Sequence, residues 1–161
     1  IIDKKLKYDF RHNQLCMSAE QRQLNALIEK LRSNDTSLDG VLACAGYLRR
    51  AGCSVTDDTF VQLIEALKVN TTLGEIYLGG MELGNDGAKY IADVLKVSTT
   101  LKSILLYGNE IGNAGVSYIA EALKMNTTLN KIIFWNNRIG ADGVAQIAEA
   151  LKVNVALTML F

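Results

Sequence analysis

At 161 residues the chain has the length of one domain, and its 49% apolar residues can fill a continuous core. Lys+Arg and Asp+Glu both total 17, so no net charge is on hand to hold a nucleic acid or an anionic membrane surface. No apolar run is long enough to span a bilayer, and the opening IIDKKLKYDFRH lacks the apolar stretch of a secretion signal. The first residue is Ile1 rather than Met, so the chain is expected to be a processed or excised piece of something larger. Cys16, Cys44 and Cys53 are odd in number and form no CxxC pair. They read as reduced thiols of a cytoplasmic protein, with no metal, cofactor or disulfide framework.

In chain order, residues 1–15 either supply a strand, in which Leu6, Tyr8 and Phe10 alternate, or wander. Ser18 and Gln21 have the spacing of a capping box, and Leu24, Leu27, Ile28 and Leu31 share one helical face. A helix near 18–33 is therefore expected to cover the first strand, with 1–37 acting as an N-terminal cap region. TSLDGVLA then offers Leu38, Val41 and Ala43 as strand core positions, with Leu42 facing away from them. About seven extra residues near Gly46 to Gly52 predict a longer loop or an added helical turn. CSVTDDTFVQLIEALK (Cys53 to Lys68) predicts a helix.

From Leu67 the chain repeats itself. LKVNTTLGEIYLGGMELGNDGAKYIADV is followed by LKVSTTLKSILLYGNEIGNAGVSYIAEA from Leu95, then by LKMNTTLNKIIFWNNRIGADGVAQIAEA from Leu123, and LKVNVALTMLF opens a further copy at Leu151. A period of this length marks a stacked repeat architecture. Leu101, Ile104 and Leu106 alternate as a strand does, whereas Val116, Ile119, Ala120 and Leu123 lie on one helical face. Thr56, Asn85 and Asn113 occupy one column just before the helices and predict N-caps; Ala141 breaks the column and Asp142 is the substitute. Each helix ends in an acid three residues before a lysine, which predicts a solvated outer face.

LxxIxLxxN at this period, as in Leu101–Ile104–Leu106–Asn109 and Leu129–Ile132–Phe134–Asn137, resembles the leucine-rich repeats. With a helix in each unit, it is similar to the ribonuclease-inhibitor-like subclass, which includes ribonuclease inhibitors, Ran GTPase-activating protein, tropomodulins and NOD-like receptor sensors. The resemblance implies an α/β solenoid, a curved horseshoe segment with parallel strands on the concave face and helices on the convex face. The whole of 1–161 is then a single leucine-rich-repeat domain, with about five repeats over 38–161 and the last incomplete. The resemblance also implies protein binding, and it gives Asn109 and Asn137 the role of the family's structural asparagine ladder, interrupted at Met81.

Chemistry finds little support. His12 is the only histidine, Asp57 with Asp58 suits a helix start, Gly79 and Gly80 do not read as a phosphate loop, and no nucleotide-binding glycine motif exists. The sequons at Asn34, Asn70 and Asn126 are better explained by turn and cap roles. Strand alternation instead turns one set of side chains onto the concave face. One column holds Leu42, Tyr77, Leu105, Ile133 and Phe161; a second holds Cys44, Gly79, Tyr107 and Trp135; a third holds Gly40, Glu75, Ser103, Lys131 and Met159. The expected partner-binding set is Glu75, Tyr77, Leu105, Tyr107, Lys131, Ile133 and Trp135, because Trp and Tyr dominate interface energetics. The expected function is a non-enzymatic protein-interaction module, with no nucleic-acid or membrane partner. Two alternatives remain open: a small-GTPase-activating module, for which Arg49, Arg50 and Arg138 are the repeat-region arginines, and a scaffold that self-associates through the C-terminal repeat edge.

Overall fold

The structure is a computed structural model that describes residues 19–38, 41–43 and 58–161. Helix α1 (Ala19–Arg32) leads into a 3-10 turn (Thr36–Leu38) and strand β1 (Val41–Ala43). Helices and strands then alternate: α2 (Asp58–Val69), β2 (Glu75–Tyr77), α3 (Gly84–Val97), β3 (Ser103–Leu105), α4 (Asn113–Met125), β4 (Lys131–Ile133), α5 (Ala141–Leu151) and β5 (Met159–Leu160). The five strands form one parallel sheet in the order β1-β2-β3-β4-β5. Chain order and spatial order coincide, as stacking of successive coils requires.

The repeat explains the core. Ile76, Ile104 and Ile132, at the centres of β2, β3 and β4, are buried, as are Leu78, Leu106 and Phe134 just beyond each strand. The helices return Leu63, Ile64 and Leu67, then Ile91, Val94 and Leu95, then Ile119 and Leu123, to the same interior. Each such side chain contributes roughly 1.5–3 kcal/mol on burial. Helix α1 closes one end by burying Leu24, Ile28 and Leu31 in the core that also holds Phe60, Leu63 and Ile64 of α2. On the outer face, Glu65–Lys68, Asp93–Lys96, Glu121–Lys124 and Glu149–Lys152 form ion pairs one helical turn apart.

Two expectations are corrected. The register pairs Val41 with Glu75, Leu42 with Ile76 and Ala43 with Tyr77. Leu42 therefore stands in the row of Ile76, and Ala43 takes the place beside Tyr77. The 3-10 turn that contains Leu38 alters the count between helix and strand, and a one-residue change of register exchanges the two faces. The second correction concerns Asn85 and Asn113, which do not cap their own helices. Asn85 Oδ1 accepts from Gly112 N and Gly115 N, both at 2.9 Å, at the start of α4. Asn113 Oδ1 accepts from Gly140 N at 2.7 Å, at the start of α5, so Asp142 does not serve as the substitute cap. Each asparagine thus supplies a missing helix-end acceptor to the following coil. The expectations for residues 1–15, His12, Cys16, Ser18, Gly40, Cys44, Gly46 to Gly52, Arg49, Arg50, Cys53, Thr56 and Asp57 lie outside the described residues.

A buried asparagine follows most helices. Asn126 Oδ1 accepts from Leu129 N at 2.7 Å while its Nδ2 donates to Leu95 O of the preceding coil at 2.7 Å. Asn70 makes the same pair of bonds with Leu73 N and Leu31 O, and Asn154 with Leu157 N and Leu123 O. In this column Ser98 Oγ accepts from Leu101 N at 3.2 Å, but its side chain is too short to serve the coil before it. Ser98 borders a small void together with Leu67, Asn70, Ile76 and Leu101. Ser98→Asn is expected to fill the void and donate to Leu67 O. The gain is about 1 kcal/mol, or a rise in melting temperature of roughly 2–4 °C. A thermal melt checks it, and a lower melting temperature would show that the void is too small for the amide.

Candidate partner-binding face

Because Ile76, Ile104 and Ile132 turn into the core, their strand neighbours Glu75 and Tyr77, Ser103 and Leu105, and Lys131 and Ile133 are directed to the opposite face of the sheet. The register aligns Glu75, Ser103, Lys131 and Met159 in one row and Tyr77, Leu105 and Ile133 in the next. The expected site residues on β2, β3 and β4 therefore share one surface. Glu75, Tyr77, Leu105, Lys131 and Ile133 are half-buried there. Tyr77 Oη donates to Glu75 Oε2 at 2.8 Å. That bond, joined by partial desolvation and the carboxylate charge, holds the Tyr77 phenol above the usual tyrosine range.

Tyr107 and Trp135 follow just past β3 and β4. Their ring centroids lie 5.5 Å apart with the planes tilted by 36°. Trp135 is 62% exposed and Tyr107 39% exposed. The Tyr107 ring lies directly on Gly79: a Cβ built there would stand 2.2 Å from Tyr107 Cζ. Only glycine lets the ring settle on the backbone of the preceding coil, and Trp135 then leans on Tyr107. The column Gly79–Tyr107–Trp135 is legible in the sequence, but the supporting role of Gly79 is not, because it depends on which way the rings lean.

The turns behind this face are held by Asn109 and Asn137. Asn109 Oδ1 accepts from Met81 N at 2.8 Å and from Leu83 N at 3.4 Å, and its Nδ2 donates to Leu78 O at 2.8 Å and to Tyr107 O at 3.3 Å. Asn137 repeats the pattern on Asn109 N, Ile111 N and Leu106 O. Anchoring the residues next to Tyr107 and Trp135 in this way fixes where the two rings leave the backbone.

Ser103 departs from expectation. It occupies the face yet is only 3% exposed, and its hydroxyl has no hydrogen-bond partner. At the C-terminal edge, Met159, Leu160 and Phe161 are exposed. There Trp135, Ile139, Val144, Ile147, Leu160 and Phe161 border an open cavity of about 290 Å³. Arg138 is tied to Glu110 at 2.8 Å on the surface of the turns, away from the strand rows. Among the described residues no three His, Cys, Asp or Glu side chains gather as a metal set would, and no helix is long and apolar enough to cross a membrane.

Short parallel strands aligned coil by coil, one helix per coil and asparagines bridging the turns define a leucine-rich-repeat protein with the strands on the inner side. More narrowly, the chain belongs to the family described as the TMOD/LMOD leucine-rich domain, whose sequence model matches residues 20–160. Among solved structures it is similar to one titled "Leiomodin-1 Actin-Binding Site 2 (ABS2)", at 27% identity and a TM-score of 0.70, covering 83% of this chain and 75% of that one. It also resembles a Caenorhabditis elegans tropomodulin C-terminal domain at a TM-score of 0.70, covering 85% of this chain and 80% of that one; at 15% identity this likeness concerns the fold alone. Comparison with curated proteins returns no match.

Proposed function

We propose that the chain is a non-enzymatic, cytoplasmic protein-binding module whose partner is actin, held on the concave face by Tyr77, Leu105, Tyr107, Ile133 and Trp135 with Glu75 and Lys131 at the border. Membership of the TMOD/LMOD family and likeness to a leiomodin-1 structure titled as an actin-binding site support the partner. The observation that carries the choice of face is the Gly79–Tyr107–Trp135 stack. Two large rings stand exposed on a soluble fold, already ordered by backbone and ring contacts, so little entropy opposes their use. Among the described residues no comparable observation favours GTPase regulation, and Arg138 is paired with Glu110.

Co-sedimentation with actin filaments tests the proposal. Trp135→Ala is expected to weaken binding by roughly 30-fold or more, as loss of an interface anchor does. Because the indole is mostly exposed, the melting temperature should stay within about 4 °C of wild type. Unchanged binding in Trp135→Ala would refute the concave face, and absence of wild-type binding would refute the partner. Sizing of the chain alone, the control in this experiment, reads a second mode: self-association through the exposed β5 edge, visible as mass that rises with concentration.

A further inference from the structure

We infer that Ser103 and Lys131 form a carboxylate-binding subsite on the concave face, taking an acidic side chain of the protein partner. The inference rests on the concave-face reading above and adds to it what chemistry the partner must present. Ser103 and Lys131 are direct register partners on β3 and β4, and the buried residues that follow them, Ile104 and Ile132, turn both side chains to the same side. Paired strands lie about 4.8 Å apart, within the span of one carboxylate and its two hydrogen bonds.

Both groups can donate, and neither has an acceptor among the described residues. The Ser103 hydroxyl is enclosed and unpartnered, which native proteins seldom tolerate without a reason. No ion pair among the described residues includes Lys131, although Lys68, Lys96, Lys124 and Lys152 on the helices each hold an acid. The acid nearest in the row, Glu75, stands on the other side of Ser103; it accepts from the Tyr77 hydroxyl and is bonded to neither Ser103 nor Lys131. Leu105 and Ile133, half-buried in the adjoining row, exclude water from one flank and so strengthen a charge-assisted bond. Two unmet donors, one of them cationic, over an apolar border suit an anion with two acceptor oxygens. The hydroxyl is enclosed in the free chain, so the side chains that cover it must part as the carboxylate enters.

Titration of the chain with sodium acetate, followed by NMR, reads the subsite without actin. The Lys131 side-chain signal and the Ser103 amide are expected to move at acetate concentrations that leave the exposed Lys102 unmoved. Equal response of Lys131 and Lys102 overturns the subsite. In the actin assay Lys131→Gln is expected to weaken binding about tenfold, and Lys131→Arg to restore it to within about threefold of wild type. Ser103→Ala should bind more weakly yet melt no lower than wild type; a melting temperature several degrees lower would show that the hydroxyl is satisfied inside the protein and would overturn the premise. Wild-type affinity in Lys131→Gln beside weakened Trp135→Ala overturns the subsite and leaves the concave face intact. Wild-type affinity in Trp135→Ala removes the face, and the subsite with it.

Discussion

Asn109→Ala is expected to lower the melting temperature by roughly 10 °C, a loss of the size that truncating a buried apolar core side chain brings. The Asn109 side chain is fully buried and serves four backbone groups: the N–H groups of Met81 and Leu83 and the carbonyls of Leu78 and Tyr107. Alanine supplies none of these bonds, and water has no path to replace them. A buried polar group left without a partner costs about 1–3 kcal/mol, so the sum falls near 4 kcal/mol after partial relaxation. At this chain length each kcal/mol corresponds to roughly 2–4 °C. Asn137→Ala removes the same kind of bonds, but Asn137 is half-buried and water can reach part of its site, so a loss of about half that size is expected. Thermal melts of the two variants side by side check the ranking, and equal losses would contradict it. If the proposed partner is right, actin co-sedimentation gives a second readout, because Asn109 Nδ2 holds the backbone carbonyl of Tyr107 and alanine removes that bond.

What the sequence reveals about this molecule follows the strength of its periodicities. The strand rows of β2, β3 and β4 are readable because Ile76, Ile104 and Ile132 recur at one spacing with alternating neighbours. The row of β1 is misread by one residue, since it lies where the repeat length changes and Leu38 falls in a 3-10 turn rather than in the position of Leu73. Asn85 and Asn113 show a different limit. Asparagine at a helix start reads as a cap for that helix, so the residue type is visible while its recipient is not. Only stacking shows that the acceptor crosses to the following coil. The aromatic column is legible as a column. The seat of Tyr107 on Gly79 and the isolation of the Ser103 hydroxyl are not, because both depend on side-chain directions that spacing does not encode.

Gly115→Ala tests the inter-coil cap, and its sign is the informative part. In a helix alanine is ordinarily favoured over glycine by about 1 kcal/mol, so a gain is expected wherever space allows. At Gly115 space does not allow it. A Cβ there would stand 2.7 Å from Asn85 Oδ1, 2.8 Å from Ile111 Cγ2 and 3.0 Å from Ala88 Cβ, which encloses it between α3 and α4. Overpacking of this kind costs about 1–3 kcal/mol, and displacing Asn85 from Gly112 N and Gly115 N removes a cap contribution of about 1 kcal/mol. The net expectation is a loss near 2 kcal/mol and a fall in melting temperature of roughly 4–8 °C. In an Asn85→Ala background the cap is already gone and the nearest obstacle with it, so Gly115→Ala should cost less there, with a coupling of about 1 kcal/mol between the two positions. Melts of the two single variants and the double variant measure that coupling. If Gly115→Ala stabilises the chain, or if the two changes simply add, the reach of Asn85 into the next coil is not what holds the start of α4.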